Sequence, residues 1–429
     1  MKLLLNKSIL ISLFIVVTIN SLIAQESIDT SSIVWKEGYL DIHHINTGRG
    51  VSTFFVMPDG TKMVVDLGDM DDSNKVKSLP LTVTDAYPNG SKNSGEWVID
   101  YINQALPKMS NPVIDYVLLT HFHSDHFGLI RSGLKKSVKG KYYLSGLTQL
   151  GEKFIIKNWI DRNYPDYNYP SDLKVVNGKQ NKSLINLLDF VQYQKVANGM
   201  TPASLIVGAN NQIVLNYQPQ KFPDFKIVGV KRNATIWTGK GCETIDHFTI
   251  DSVLNGDARY SENPLSLAIK LSYGKFDYFT GGDNTGLQGY GLPNWVDVET
   301  PMAKAVGKVE VTTLNHHGNR DATNEFFLKT LQPKAVVEQT WCSDHPGQEV
   351  MHRLISNHLY PGEKNIFATN IQESTKQTLG FWFTKGYKSM FGHVVVRVLP
   401  GGDKFYVLIA ETINNKIVIK KTFGPYISE

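Results

Sequence analysis

The sequence has few cysteines for its length, with only Cys242 and Cys342 among 429 residues. This scarcity excludes a disulfide-rich scaffold, and the wide separation of the two residues excludes the short Cys-x-x-Cys spacing of many zinc sites. Separation along the chain does not determine distance in space. One disulfide and two separate core thiols therefore both remain open.

The chain also lacks a strong charge of either sign, since its formal net charge is +4. Removal of residues 1–24 takes away two lysines and no acids, which lowers this charge to +2. We therefore expect no strong electrostatic footprint for nucleic acid or membrane, although a nucleic-acid substrate at a local site remains compatible. The hydrophobic content of 41% is typical of a globular protein with a substantial core.

The first 24 residues predict a signal peptide. Lys2 and Lys7 precede or flank an apolar core over residues 9–19, which is short for a permanent membrane anchor. Ala24 supplies the small residue before a cleavage site, although Leu22 stands where a second small residue is usual. We expect a periplasmic or secreted protein without a stable membrane anchor after cleavage, and an uncleaved anchor is the alternative.

The most informative segment is His-Phe-His-Ser-Asp-His at residues 121–126. It follows an apolar, β-branched run over residues 113–120 that predicts a buried strand. Alternate residues at the exit of a strand point the same way, so His121 and His123 can bind one ion together. The aspartate and the last histidine fall on the next turn, facing a second ion. Such a cluster indicates a metal site rather than a solvated turn.

Other predicted strands end in similar residues. The five strand ends carry Asp66, His121, Asp283, the pair His316 and His317, and His345. Functional groups that collect at one edge of a layered α/β sheet are typical of a built site. Residues 130–260 have a less regular pattern. We interpret them as an elaboration that forms walls of a substrate pocket or, alternatively, as a surface insertion over the core edge.

These motifs resemble the metallo-β-lactamase fold hydrolase superfamily, and most closely the hydrolase domain of competence-type DNA-uptake proteins and their exported relatives. The resemblance spans about residues 38–360 and rests on five further segments besides residues 121–126: Gly48-Arg49-Gly50, Asp66-Leu67-Gly68, Thr280-Gly281-Gly282-Asp283, His316-His317-Gly318 and His345-Pro346. It implies an α/β fold, a four-layer αββα sandwich with an inserted substrate-side region and a C-terminal β extension. Residues 25–385 then form the hydrolase domain, with the elaboration at 130–260, and residues 386–429 form a C-terminal β-hairpin extension.

The resemblance also implies ligands for two metal ions. These are His121 and His123 for the first ion, Asp125, His126 and His317 for the second, and Asp283 as a bridge between both. The roles of His316 and His317 are interchangeable at this point. Asp66 is implied to orient the metal loop through hydrogen bonds rather than to bind an ion.

One departure from the superfamily concerns the first ion. Many members place a further histidine between the first motif and the bridging aspartate. The candidate here is His247, but Glu262-Asn263-Pro264-Leu265-Ser266 aligns better with the DNA-uptake branch, which resembles this chain in lacking that histidine. Whether His247 completes the first site is therefore open.

The ligand set combines nitrogen and oxygen without thiolate, which suits zinc first, with manganese or iron as alternatives. Two ions roughly 3.5–4 Å apart depress the pKa of a shared water toward about 7 and so generate hydroxide that attacks phosphorus or a carbonyl. The predicted catalytic residues are Asp125, His316 and His345, and one of the two histidines donates a proton to the leaving group.

The sequence thus predicts an exported dinuclear-metal hydrolase that acts on phosphate esters. A phosphodiesterase or nuclease is favoured, with a small-molecule or nucleic-acid phosphoester as substrate. Two alternatives remain, because fold alone does not determine the substrate. They are a lactone or β-lactam hydrolase and a non-catalytic, metal-stabilised binding protein. The sequence gives no indication of the oligomeric state.

Overall fold

The computed structural model describes residues 31–70, 82–108, 113–256, 262–287 and 293–429. The predicted signal peptide, residues 1–24, lies outside these ranges, so export stays a prediction. Within these ranges no helix has both the length and the apolar character needed to cross a membrane.

Strands and helices alternate along much of the chain. The strands are β1 (Leu40–His44), β2 (Thr53–Val56), β3 (Lys62–Val65), β4 (Val113–Leu118), β5 (Ile155–Asp161), β6 (Val175–Val176), β7 (Lys179–Gln180), β8 (Thr201–Ser204), β9 (Phe225–Arg232), β10 (Thr235–Trp237), β11 (Thr244–Asp246), β12 (Ala268–Tyr273), β13 (Phe276–Thr280), β14 (Val311–Thr313), β15 (Ala335–Glu338), β16 (Ile366–Ala368), β17 (Tyr387–Ser389), β18 (His393–Val398), β19 (Lys404–Ile413) and β20 (Lys416–Ile427). The helices are α1 (Ser94–Ala105), α2 (Ser124–Phe127), α3 (Leu147–Lys153), α4 (Lys182–Asn198), α5 (Ile250–Leu254), α6 (Glu299–Val306), α7 (Glu325–Leu331), α8 (Gln348–Leu354), α9 (Glu373–Leu379) and α10 (Phe381–Thr384). Short 3₁₀ segments cover Pro219–Lys221, Asn263–Leu265, Asn294–Val296 and Asn315–Gly318.

Two nine-stranded sheets contain nearly all of these strands. The first has the order β20-β19-β18-β1-β2-β3-β4-β5-β8, and the second has the order β11-β10-β9-β12-β13-β14-β15-β16-β17. Strands β3, β4, β5 and β8 run parallel in the first sheet, and β13 to β17 run parallel in the second. Strands β6 and β7 form a separate hairpin.

The sheets pack face to face, with helices on both outer surfaces. Ile42 and Phe55 of the first sheet share a buried cluster with Leu271 and Tyr278 of the second. Helices α1, α3 and α4 cover the outer face of the first sheet, while α6, α7 and α8 cover that of the second. Central strands buried on both faces are mainly apolar, as β2 illustrates: all four of its residues are buried, and three of them, Phe54, Phe55 and Val56, are apolar. The predicted four-layer αββα sandwich is confirmed.

Helix α1 shows how local sequence determines one outer element. The side chain of Asn93 accepts a hydrogen bond from the backbone N–H of Glu96, whose carboxylate accepts one from the backbone N–H of Asn93. This capping box satisfies two donors that the helix itself leaves unpaired. Val98 and Ile102, four residues apart, then lie on the buried face against the first sheet.

The two segments predicted as an elaboration and as a C-terminal β extension both contribute strands to the sheets. From residues 130–260, β5 and β8 extend the first sheet, and β9 lies between β10 and β12 in the second. From residues 386–429, β18 pairs antiparallel with β1. The buried ion pair between Asp41 of β1 and Arg397 of β18, 2.7 Å long, fixes this pairing. Sequence patterns miss such partners because pairing depends on segments distant along the chain. The residue boundaries of the domains stay predictions.

Candidate metal centre

The polar segments that follow five parallel strands lie at one edge of the sandwich. Asp66 follows β3 and His121 follows β4 in the first sheet. Asp283 follows β13, the pair His316 and His317 follows β14, and His345 lies beyond β15 in the second sheet. Because the two sheets face each other, their carboxyl ends bring these side chains to a common centre.

Two groups of ligand-type atoms share one carboxylate at this centre. One group consists of His121, His123 and Asp283, and the other of Asp125, His126, Asp283 and His317. Within each group the ligand atoms all lie within 4.8 Å of one another. Asp283 has one oxygen 3.1 Å from Nε2 of His126 and the other 3.5 Å from Nε2 of His121.

Hydrogen bonds orient two of the histidines so that Nε2 faces this centre. Nδ1 of His126 donates to Oδ2 of Asp66 over 2.8 Å, and Nδ1 of His317 donates to the carbonyl of Gln339 over 3.0 Å. Since Nδ1 carries the proton in each neutral ring, Nε2 retains its lone pair. Fixing the tautomer in this way is what carboxylates and carbonyls do behind metal-binding histidines.

Asp66 also holds the start of the metal loop. Its two carboxylate oxygens accept hydrogen bonds from the backbone N–H of Thr120 over 2.8 Å and from its hydroxyl over 2.7 Å. Asp66 itself belongs to neither group of ligand-type atoms among the described residues. The structure therefore places it where it orients the loop and the ring of His126.

Buried charge at the centre is mutually compensated. Burial opposes ionisation of Asp283, but His126 and His317 outweigh this effect and hold its pKa well below the ordinary value. Burial likewise disfavours protonation of His317, yet Asp283 and Asp125 raise its pKa to about 10. Carboxylates kept ionised in a buried site need neighbouring positive charge, which a divalent cation also supplies.

The donor set fits divalent metal ions. Nε2 of His121 and Nε2 of His126 are buried and have no hydrogen-bond partner, which is costly for polar atoms unless a ligand satisfies them. Imidazole nitrogens and carboxylate oxygens in two adjoining groups suit zinc. Burial lowers the pKa of His121 well below its ordinary value, which favours the neutral form that binds metals.

Three residues at the centre have a left-handed backbone conformation. Asp66, His316 and His317 all have positive φ angles, of 57°, 46° and 55°. Such conformations cost roughly 1–3 kcal/mol each for residues other than glycine and are found mostly where function requires them. Gly68, in the Asp-x-Gly motif, must lack a side chain, because a Cβ atom there would lie 1.8 Å from the carbonyl oxygen of Asp125.

Comparison with known proteins gives one family match. Residues 46–215 match the model of the metallo-beta-lactamase superfamily. This match extends over less than half of the chain, so the similarity to the superfamily holds for residues 46–215. No curated protein in the comparison matches the chain. Among solved structures, the Zn²⁺-bound PqqB from Methylobacterium extorquens is similar at 8% identity and a TM-score of 0.35, over 83% of this chain and 99% of that one.

The matched range holds only part of the centre. It includes Asp66 and residues 121–126 and ends before Asp283. Asp283 and His317 come from the second sheet of the sandwich, and the structure brings them within ligand distance of the first set. The resemblance to the DNA-uptake branch stays a prediction.

His316 and His317 take different positions although they are adjacent. His317 belongs to the second ligand group, with Nε2 3.1 Å from Asp125 and 3.4 Å from Asp283. Nδ1 of His316 donates to Asp321 over 2.5 Å, and its Nε2 lies 3.1 Å from the side-chain amide of Asn263. His316 thus lies beside the centre, with Nε2 3.9 Å from Asp283.

His345 is buried behind His317 rather than in either group. Its ring stacks on that of His317 with centroids 4.5 Å apart, and its closest polar neighbours are Cys342 and Asp344. Burial and the charge of His317 lower the pKa of His345 to about 3. Both cysteines are free, with Cys242 exposed and Cys342 buried, so no disulfide links them.

The first group gains no third histidine among the described residues. His247 belongs to neither ligand group. It follows β11, on the far edge of the second sheet, and its backbone N–H bonds to the carbonyl of Ala234. Among the described residues, His247 therefore lies apart from both ligand groups.

Sequence reasoning missed a buried clamp on the metal loop. Glu262 accepts a hydrogen bond from the backbone N–H of Phe122, which lies between the first two histidines, over 2.8 Å. Arg162 donates to both oxygens of Glu262, over 2.9 and 2.6 Å, and its guanidinium lies 4.9 Å from the Phe122 ring centroid. In the sequence, the position of Glu262 directly before Asn263-Pro264 was the one indication that it lies near the site.

A cavity of about 610 Å³ opens next to the first group. His123 and Ser124 line it on one side, and Leu173, Gln180 and Lys182 line it on the other. Leu173, Gln180 and Lys182 belong to the β6–β7 hairpin region and the start of α4. Residues 170–184 therefore form a wall next to the candidate metal centre.

Proposed function

We propose that this protein is an exported, dinuclear-metal hydrolase that acts on phosphate esters, as a phosphodiesterase or nuclease. The observation that carries the proposal is the pair of ligand groups joined through Asp283, beside an open cavity. Paired metal sites with a shared ligand are typical of enzymes that hydrolyse phosphoesters. The superfamily domain and the buried histidine and aspartate cluster support hydrolysis in general.

The same residues define which ions fit. His121 and His123 would hold one ion, and Asp125, His126 and His317 would hold the other. Asp283 would bind both ions. Zinc suits this set of ligands first, with manganese or iron as alternatives. When bound, such ions supply Lewis-acid polarisation of the ester and a water molecule activated at neutral pH.

The chain itself supplies orientation and a proton donor. Asp66 and Gln339 fix the rings of His126 and His317, so the ligands are already in place before substrate arrives. Of the two proposed donors, His316 is the better placed, because 19% of its side chain is exposed while that of His345 is only 4% exposed. Asp321 holds Nδ1 of His316 and directs Nε2 toward the centre.

The cavity supports an anionic substrate. Its wall offers hydrogen-bond donors from the side chains of Asn177, Gln180, Asn181 and Ser183, and a positive charge from Lys182. Two acidic residues, Asp172 and Glu262, also line the cavity, and Glu262 is paired with Arg162. The support for a phosphate diester is therefore the set of hydrogen-bond donors beside the metal centre, which suits the several acceptor oxygens of such an ester.

Export belongs to the same proposal. Its support is the sequence of residues 1–24, where two lysines precede or flank an apolar core followed by Ala24. Sequencing the N-terminus of protein recovered from the periplasm or medium tests it. A mature chain starting at Gln25 supports export, whereas a chain confined to the cytoplasm with Met1 intact contradicts it.

The test of activity uses purified protein and a panel of substrates. We expect hydrolysis of bis-p-nitrophenyl phosphate that chelation abolishes and zinc or manganese restores. His317→Ala should lose the activity, whereas His352→Ala, at an exposed histidine of α8, should keep it. Turnover of only nitrocefin or a lactone would contradict the substrate class, and a metal-loaded protein without turnover on any ester would indicate a binding protein.

A further inference from the structure

A third cluster of ligand-type residues lies outside the two groups described above. Cys342, Asp344 and His345 bring a sulfur, a carboxylate oxygen and an imidazole nitrogen within 4.8 Å of one another. The segment that carries them follows β15 and is held by backbone hydrogen bonds of Ser343 with Thr82 and of His345 with Cys342. Neither ligand group around Asp283 uses any of these three side chains.

Two of the three ligand-atom pairs in the cluster have a spacing close to that of a tetrahedral site, and the third is a direct thiol–carboxylate hydrogen bond that a bound ion would replace. Nε2 of His345 lies 3.7 Å from Sγ of Cys342 and 3.5 Å from Oδ1 of Asp344, and the thiol donates a hydrogen bond to the same oxygen. A tetrahedral zinc ion with bonds of roughly 2.0–2.3 Å separates its ligand atoms by about 3.4–3.6 Å. Cys342 is 2% exposed and His345 is 3% exposed, so both ligand atoms are shielded from bulk solvent.

The chemistry of this cluster differs from that of the neighbouring centre. The two groups around Asp283 contain only nitrogen and oxygen, whereas the third cluster includes sulfur. A thiolate is a soft ligand that selects zinc and similar ions over magnesium, calcium or manganese. The stacked rings of His317 and His345 connect the cluster to the second group while Nδ1 of His317 stays bonded to Gln339.

We propose that Cys342, Asp344 and His345 form a third metal site, separate from the two groups that share Asp283, which binds one thiophilic divalent ion of the zinc class. On binding, the Cys342 thiol loses its proton to solvent and the sulfur becomes a metal ligand. Three protein ligands leave a fourth position for water or substrate, as in catalytic rather than structural zinc sites. This inference does not depend on the proposed phosphoesterase activity.

Cobalt substitution of the full mature protein tests the proposal, because a thiolate bound to Co²⁺ gives a charge-transfer absorption band that nitrogen and oxygen ligands do not give. We expect the band in the wild type with reduced thiols, and its loss in Cys342→Ser together with one bound ion per chain. Cys242→Ser is the matched control, since Cys242 is the other cysteine and is exposed. It should keep both the band and the full metal content.

Two further variants make the result decisive. His345→Ala should weaken or abolish the band while leaving the thiol in place, and circular dichroism should show that each variant is folded. Asp283→Asn should remove ions from the neighbouring centre and keep the band. A wild type without the band, or a band lost in Cys242→Ser, overturns the proposal. Loss of the band in Asp283→Asn would show that the third site does not bind its ion independently of the neighbouring centre. That outcome would leave the proposed hydrolase activity untouched.

Discussion

The two ligand groups that share Asp283 differ in how completely the fold encloses them. All four members of the second group, Asp125, His126, Asp283 and His317, are buried, whereas the first group has three members and its His123 is exposed. A closed set of protein ligands is typical of firmly held ions, and an open position is typical of catalytic ones. We therefore expect the second group to bind an ion more tightly than the first, whose His123 lines the cavity.

The largest expected effect comes from removing what the two groups share. Asp283→Asn should lower the rate on bis-p-nitrophenyl phosphate by at least about 1000-fold, because metal polarisation is worth several kcal/mol and each 1.36 kcal/mol is tenfold in rate. Elemental analysis should show loss of ions from both groups. A variant that keeps full metal content and rate would contradict the role of Asp283 as the shared ligand.

Substitutions in one ligand group at a time distinguish the metal affinities of the two groups. His317→Ala should weaken the tighter ion by at least about 100-fold, since a direct ligand contributes more than the outer partners whose loss costs about 10–100-fold. His123→Ala should leave that ion in place and weaken only the looser one. Titration of metal-free protein with Zn²⁺ measures both affinities. Equal loss of both ions in the two variants would remove the asymmetry.

An intermediate effect on metal affinity is expected from Asp66, which hydrogen-bonds His126 of the second group. Asp66→Asn keeps a residue that tolerates positive φ but replaces the carboxylate that accepts from His126 and Thr120. Metal affinity or activity should fall by about 10–100-fold. Asp85→Asn, at a carboxylate with 77% side-chain exposure, is the control and should behave as the wild type. An unchanged zinc titration in Asp66→Asn would exclude an orienting role.

The smallest effect concerns stability rather than catalysis. Burial raises the pKa of Glu338, at the end of β15, to about 8 from 4.5. A raised carboxyl pKa adds stability that is full below pH 4.5 and is lost as the pH rises through about 8. Glu338→Gln should remove this loss, which amounts to at most about 1.4 kcal/mol per pH unit.

Urea unfolding of metal-free protein at pH 5 and pH 8 measures this difference. Glu373→Gln on α9 is a suitable control, since 70% of that side chain is exposed. The free energy of unfolding should fall less between the two pH values in Glu338→Gln than in the wild type or the control. Identical pH dependence in all three proteins would show that Glu338 does not titrate in this range.

The local sequence pattern was sufficient to predict secondary structure at the edge of the sandwich that carries the site. The apolar run before His121 predicted a buried strand, and β4 occupies it, followed at once by the histidines. The capping box of α1 is likewise a local signal, because Asn93 and Glu96 lie three residues apart. In both cases the information is contained in a few neighbouring residues, because periodicity and capping act locally.

Features that depend on distant partners were not predictable. The adjacent histidines 316 and 317 share their local sequence context and a left-handed backbone, and their hydrogen-bond partners, Asp321 and the carbonyl of Gln339, distinguish them. The same limit applies to Arg162 and Glu262, whose clamp joins segments 100 residues apart. Cys342 gave no sign of its proximity to His345 beyond a spacing of three residues.

The pairing of β1 with β18 has a consequence for how the molecule is made. Nδ1 of His44 meets the carbonyl of Val394 across 350 residues, so one side of β1 has no partner until almost the whole chain has left the ribosome. An unpaired strand edge on a nascent chain invites association with other chains. Truncations before residue 393 should therefore aggregate rather than yield a smaller soluble protein, and chaperones that shield the growing polypeptide should raise the yield of the full-length form.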